Sequence, residues 1–326
     1  VRVVSPISDV IKVWVWTLGS LVVGLYFTLI AYNGGKALAE LSETKDFSSM
    51  INDIATWSGA ADLKDFFMIC WPTAAALLLV PMIEWLRREN GEREHKLRSV
   101  CLASRRGPLQ AITGFLMTFG CFVLIGYAMV KAGPFTWAAD AGKWRENLFF
   151  DIGWTLLIAT IIQLLFSCVM LGIFVRAMKI PAAIALTAMM FAGIQFLMVG
   201  FTEAEAFDSE SLSTIHLTGI LFFGGEPITR FVVVFLPWFA FGCVLGWARW
   251  RTASIWLPTG LLMGWLLADR LFKKATDAIE IPNSVVGYLS AGSVQTGIIP
   301  LIGVLAIACI VYLLIQAHAS EQQAHD

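Results

Sequence analysis

The feature that most constrains this chain is a run of about twenty apolar residues that recurs eight times. The runs fall at about 11–32, 65–86, 109–130, 149–174, 180–201, 228–249, 255–272 and 295–316. At about 1.5 Å per helical residue, each reaches across a hydrocarbon layer of about 30 Å. Inside lipid, backbone N–H and C=O groups find no water, so a spanning segment must satisfy them within itself, as a helix does. The pattern therefore predicts an all-α polytopic integral membrane protein with about eight transmembrane helices. Composition agrees, since 58% of the 326 residues are hydrophobic and only 14% are charged. The net charge of -1 implies no nucleic-acid partner.

Loop charge predicts the orientation. Segment 87–107 carries seven Lys/Arg against three acids, which places it in the cytoplasm. Arg176 and Lys179 mark the next short loop on that side, and Arg249 and Arg251 the one after. Segments 33–62 and 202–227 each hold five acids, with two lysines in the first and no Lys or Arg in the second, and are expected outside. Both termini then face the cytoplasm of a bacterial inner (plasma) membrane. Lys273 and Lys274, in loop 273–294, run against this rule. The run from Ile11 to Tyr32 is too long for a signal-peptide core and reads as the first spanning helix.

A single membrane domain over 1–316 and a short polar, mobile tail over 317–326 are expected. Residues 46–58 and 209–223 are patterned like short helices lying along the interface. Trp57, Trp137 and Trp144 suit an aromatic belt there. Gly242/Gly246 and Gly260/Gly264 are small-xxx-small steps in successive spans, which predicts that the sixth and seventh helices pack tightly. The six cysteines form no CxxC pair, and the five in or beside apolar runs read as small buried hydrophobes.

Polar residues inside the spans are the candidates for chemistry. Gln163 lies near the middle of the fourth span with Ser167 four residues on, on the same helical face, and Gln195 lies inside the fifth. A buried amide must be hydrogen-bonded, so these residues read either as glue between helices or as the lining of a polar pocket. Asp65, Glu84, Asp151 and Asp269 fall at helix ends, within reach of water or an arginine. The span centres hold no ionisable group, which argues against an ion pump or proton-coupled transporter. The four histidines, His95, His216, His318 and His325, lie outside the spans, so neither a histidine-ligated haem nor a metal-activated water is expected.

Three segments resemble the CAAX protease and bacteriocin-processing (CPBP) family of intramembrane glutamate proteases. Residues 162–168, IQLLFSC, are similar to its E-E-x-x-F-R-G segment. Residues 181–195, with Phe191 kept, are similar to its F-xxx-H helix. Residues 242–265, GCVLGWARWRTASIWLPTGLLMGW, are similar to its glycine-rich helix, R-T-x-S-[IL]-W-x-P turn and G-L-H-A-G-W start. The resemblance covers about 150–270 and implies a CPBP-like helical core. It also implies that the catalytic positions are replaced. Ile162 and Gln163 stand for the glutamates, Ser167 for the arginine, Gln195 and Leu262 for the histidines, and Leu266 for the asparagine. Gln163 has no basicity with which to activate water, and leucines cannot polarise a substrate.

The expected function is thus a catalytically inactive CPBP-like membrane protein, serving as a structural or binding subunit of a membrane complex. Its partners would be other integral membrane proteins and lipids. Two alternatives stay open. One is a carrier or receptor for a lipid-like ligand in the former active-site cavity, lined by Gln163, Ser167, Gln195 and Met263. The other is an intramembrane protease with relocated residues, drawn from Glu203, Glu205, Glu210, His216 and Glu226. No cofactor is predicted, and a bound lipid, quinone or pigment stays open.

Overall fold

The computed structural model describes residues 6–45, 47–90, 107–133, 135–138, 148–204, 231–278, 295 and 297–325. Among them, six helices are long and apolar enough to cross a membrane: Ser8–Thr44, Asp65–Trp85, Gly107–Ala132, Leu148–Ala177, Val232–Thr252 and Ile298–Gln316. The chain is an α-helical, polytopic integral membrane protein. The other two expected spans are also helical. Ile180–Phe196 is a shorter apolar helix, and the segment after Trp256 spends its last turns on Asp269, Arg270, Lys273 and Lys274. Basic loop residues 91–106, the segment 209–223 and loop residues 279–294 lie outside the described residues.

Two compact units are formed. In the first, α1 (Pro6–Thr44), α2 (Ser49–Ala60) and α3 (Leu63–Asn90) make a helical hairpin with α2 at its turn. The first helix extends well past the expected end at residue 32, because Lys36-Ala-Leu-Ala-Glu-Leu are strong helix formers. Helices α1 and α3 run antiparallel: a side chain at Gly35 would meet Phe66, one at Gly24 would meet Trp71, and Lys12 lies over the Trp85 ring at 5.4 Å. Lys12 is almost fully buried, with its ammonium 3.6 Å from Asp9. The expected short helix after residue 46 is present. It turns Ala55 and Ser58 inward, and its last-turn carbonyl at Gly59 accepts from Lys36 Nζ at 2.8 Å. Met50, Ile51, Ile54 and Trp57 are left exposed on its other side.

The second unit contains α4 (Gly107–Ala132), β1 (Phe135–Trp137), α5 (Leu148–Gln163), a π-helical segment at Leu164–Met170 and α6 (Leu171–Ala177). The Ile180–Phe196 part of α7 (Ile180–Ala204) follows, then a π-helical turn at Phe231–Phe235, α8 (Leu236–Thr252), α9 (Trp256–Ala275), β2 (Thr276–Ala278) and α10 (Ile298–His325). The last helix runs through His325, so the polar residues 317–325 continue it. Its Ala, Glu and Gln residues favour that extension.

Close contacts fix the helix directions within this unit. Gly107 meets Trp256, Gly114 meets Leu257 and Leu261, and Gly264 meets Phe115 and Thr118, so α4 and α9 run parallel. Asp151 reaches Arg270, which sets α5 antiparallel to α9. Gly242 sits on Ala188 and Gly246 on Ile184, which sets α8 antiparallel to α7.

The sixth and seventh helices do meet, as expected, but through Trp238, Phe241 and Trp265. The two glycine steps do not pack against each other. Gly260/Gly264 admit α4, and Gly242/Gly246 admit α7, so each step serves a different neighbour. Spacing shows that a backbone can come close, but not which backbone comes.

Proline explains a second local feature. Pro237 has no N–H to give to Val233, four residues back. The carbonyl of Val233 accepts instead from the backbone N–H of Gly297 at 2.7 Å, with Gly297 at φ +117°, a backbone angle that suits glycine. The widened turn at Phe231–Phe235 thereby joins α8 to the start of α10.

Candidate functional site

The residues singled out by the resemblance all lie in the second unit. Gln163 closes α5, and the π-helical segment begins with the next residue. Here the Leu171 N–H bonds to the Phe166 carbonyl, five residues back. The wider turn gives the segment burial almost all round: Leu165, Phe166, Ser167, Cys168 and Met170 are buried. Single π-turns inside α-helices are frequent at functional sites. Periodicity in the sequence carries no sign of this one.

Gln163 is 1% exposed and Ser167 5%. The Ser167 hydroxyl donates to the Gln163 side-chain carbonyl at 2.5 Å. The amide expected to tie two helices together thus has its carbonyl engaged inside its own helix, by the residue placed four positions on. Gln195 is half-buried on α7, and no hydrogen bond joins it to Gln163 or Ser167. Ile162 and Leu262 are buried, Met263 and Leu266 half-buried. Glu203 lies in the last turn of α7, where its side chain is outside the described set. Glu205, Glu210, His216 and Glu226 lie outside the described residues altogether.

What joins the elements is aromatic. Phe166 meets Phe191 edge-on at 5.3 Å, Phe191 meets Trp238 at 5.5 Å, and Trp238 lies 5.1 Å from Trp265. Trp265 also touches Phe241 at 4.0 Å and Phe122 at 4.5 Å. Tilted and edge-on pairs at these separations suit the ring quadrupoles. A continuous chain of rings thus runs from the π-helical segment through α7 and α8 to α9 and α4. Trp265 is its hub, is fully buried, and its indole N–H has no acceptor among the described residues. Sequence reasoning passed over this residue, since a tryptophan in an apolar span looks like ordinary core.

No protein-family model, curated protein or solved structure matches the chain. The local geometry of the resembling segments stands by itself, and in the most specific of them it is structural. Between α8 and α9, Ala253 adopts φ +51°, and the flanking hydroxyls hold the tight turn. The Thr252 hydroxyl donates to the Ala248 carbonyl at 2.8 Å, and the Ser254 hydroxyl accepts from the Trp256 N–H at 3.3 Å. The latter satisfies a backbone donor at the start of α9, as capping hydroxyls do.

Ionisable groups gather at the other end of α9. Asp151, in the first turn of α5, is 1% exposed and lies 2.7 Å from Arg270 Nε and 2.5 Å from Lys274 Nζ. Lys273 pairs with Asp269 at 2.6 Å. The lysines that contradicted the loop-charge rule are thus in α9, each engaged by a carboxylate. Asp151 does reach an arginine, as its helix-end position led us to expect, but it does so from within the fold. Among the described residues, no group of three His, Cys, Asp or Glu side chains converges as metal ligands would.

Proposed function

We propose that this chain is a catalytically inactive, CPBP-like integral membrane protein that acts as a structural or binding subunit of a membrane protein complex. The observation that carries the reading is the Gln163–Ser167 pair. Both groups are buried, and the Ser167 hydroxyl donates to the Gln163 carbonyl. An amide whose carbonyl is already occupied, with no proton-accepting nitrogen or carboxylate, is not a general base. Leu262 and Ile162 add hydrocarbon where a hydrolase would need groups that polarise its substrate. The resembling segments meanwhile supply what a scaffold needs: close glycine crossings, a capped turn and an aromatic hub.

The test is purification of the native assembly in mild detergent, followed by mass identification of what co-migrates. Stoichiometric recovery with another integral membrane protein is the expected result. A monodisperse lone protein, together with peptide-bond cleavage that Gln163→Leu abolishes, overturns the reading.

A further inference from the structure

Among the described residues, the ion pairs at the end of α9 join three cations to two carboxylates. Lys273 and Asp269 balance each other. Asp151, in contrast, faces two cations: Oδ2 accepts a hydrogen bond from Lys274, and Oδ1 lies 2.7 Å from Arg270 Nε as an ion pair that is not aligned as a hydrogen bond, so among the ion pairs of the described residues one positive charge is left over. Arg270 approaches through Nε, and its two terminal amino groups have no partner among the described residues. Arg270 is 38% exposed and Lys274 34%, so both can be reached from outside the fold. Asp151 is a buried counter-charge that holds both cations at this end of α9.

The surroundings are those of a membrane boundary. Phe149 and Phe150, adjacent to Asp151 in sequence, are 90% and 64% exposed, and Phe150 stacks on Trp154. Trp137, 54% exposed, is paired with Thr276 in the ribbon that follows α9. Exposed rings at helix ends belong at the level of lipid headgroups. An uncompensated cation at the edge of a low-dielectric layer favours an anion. The free edge of a guanidinium matches two oxygens of a phosphate, and an ammonium adds a point charge beside it.

We propose that Arg270 and Lys274, held together by their ion pairs to the buried Asp151, form a binding site for a singly charged phosphate group, supplied by the headgroup of an anionic phospholipid. A monoanionic phosphodiester neutralises the cluster. A zwitterionic headgroup carries a quaternary ammonium that restores the surplus, so it binds less well. The site is independent of whether the protein is a complex subunit.

The test uses the full chain in a neutral detergent, with phosphatidylglycerol, phosphatidylcholine or inorganic phosphate added in separate arms. Native mass spectrometry counts retained lipid, and thermal unfolding reads stabilisation. Retention of phosphatidylglycerol over phosphatidylcholine is expected. Affinity should fall by about tenfold or more in Arg270→Gln and again in Lys274→Gln, the loss expected for a charge-assisted hydrogen bond. Arg270→Lys, which keeps the charge and removes the fork, should bind at an intermediate level and guards against loss through misfolding. If millimolar inorganic phosphate stabilises the protein and displaces the lipid, the phosphate chemistry stands and the lipid source is wrong. Equal lipid retention in wild type, Arg270→Gln and Lys274→Gln overturns the site.

Discussion

The parallel crossing of α4 and α9 yields the sharpest stability prediction. A methyl group at Gly264 would lie 2.7 Å from the Phe115 carbonyl oxygen, 2.8 Å from the Phe119 nitrogen and 3.1 Å from the Thr118 Cβ. Two of those three atoms are backbone, so no rotamer change relieves the overlap. Restoring ordinary contact requires the helices to part by roughly 0.7 Å, and gaps of this size forfeit a sizeable fraction of each dispersion contact along the seam. Gly120, on α4 itself, has nothing within 4 Å of an added Cβ and serves as the control. Both substitutions gain the same helix propensity, up to about 1 kcal/mol for Gly→Ala. The difference between Gly264→Ala and Gly120→Ala therefore isolates packing, and overpacking predicts about 1–3 kcal/mol against Gly264→Ala. Reversible unfolding by SDS in mixed micelles, followed by tryptophan fluorescence, measures the difference, because Trp265 sits beside the altered seam. If the two variants are equally stable, the crossing is not close-packed and the reasoning fails. Gly260→Ala should be worse than Gly264→Ala, since its Cβ would overlap the Ala111 carbonyl.

Three other outcomes follow from the same geometry. Gln163→Leu should cost about 1–3 kcal/mol because it strands the buried Ser167 hydroxyl, whereas Gln163→Leu with Ser167→Ala should be close to neutral; an additive double variant in the same unfolding assay refutes the pair. Asp151→Asn should cost about 1–3 kcal/mol, discounted from a fully buried pair because both cations are one-third exposed. Arg270→Gln alone should cost less, since Lys274 remains, and the reverse order would refute the counter-charge role of Asp151. Trp265→Ala should cost about 3–5 kcal/mol through loss of the ring hub, while Trp265→Phe should cost much less, because the indole N–H it removes has no acceptor among the described residues; thermal unfolding that ranks them equally contradicts this.

Much of the backbone was legible in the sequence. Hydrocarbon thickness fixes the length of an apolar run, so the six long apolar helices could be placed from composition along the chain, and the helix after residue 46 from its amphipathic pattern. Helix ends were less legible. The outer third of α1 and the final turns of α10 are polar, and a span reading based on hydropathy stops where apolarity stops, although helix propensity carries the helix further. The candidate site was half legible. The i, i+4 spacing of Gln163 and Ser167 put them on one face, but whether the amide bonds within its helix or across to another depends on which helices meet there.

What the sequence alone determined is the class: runs of this length and apolarity have few stable solutions in lipid, and helices that satisfy their own backbone are the one this chain adopts. What only the tertiary structure decided is partnership. It chose α4 for Gly260 and Gly264, α7 for Gly242 and Gly246, Gly297 for the carbonyl that Pro237 leaves free, and Arg270 and Lys274 for Asp151. Each choice depends on two segments far apart in the chain arriving at one depth, and local residue patterns carry no information about that meeting.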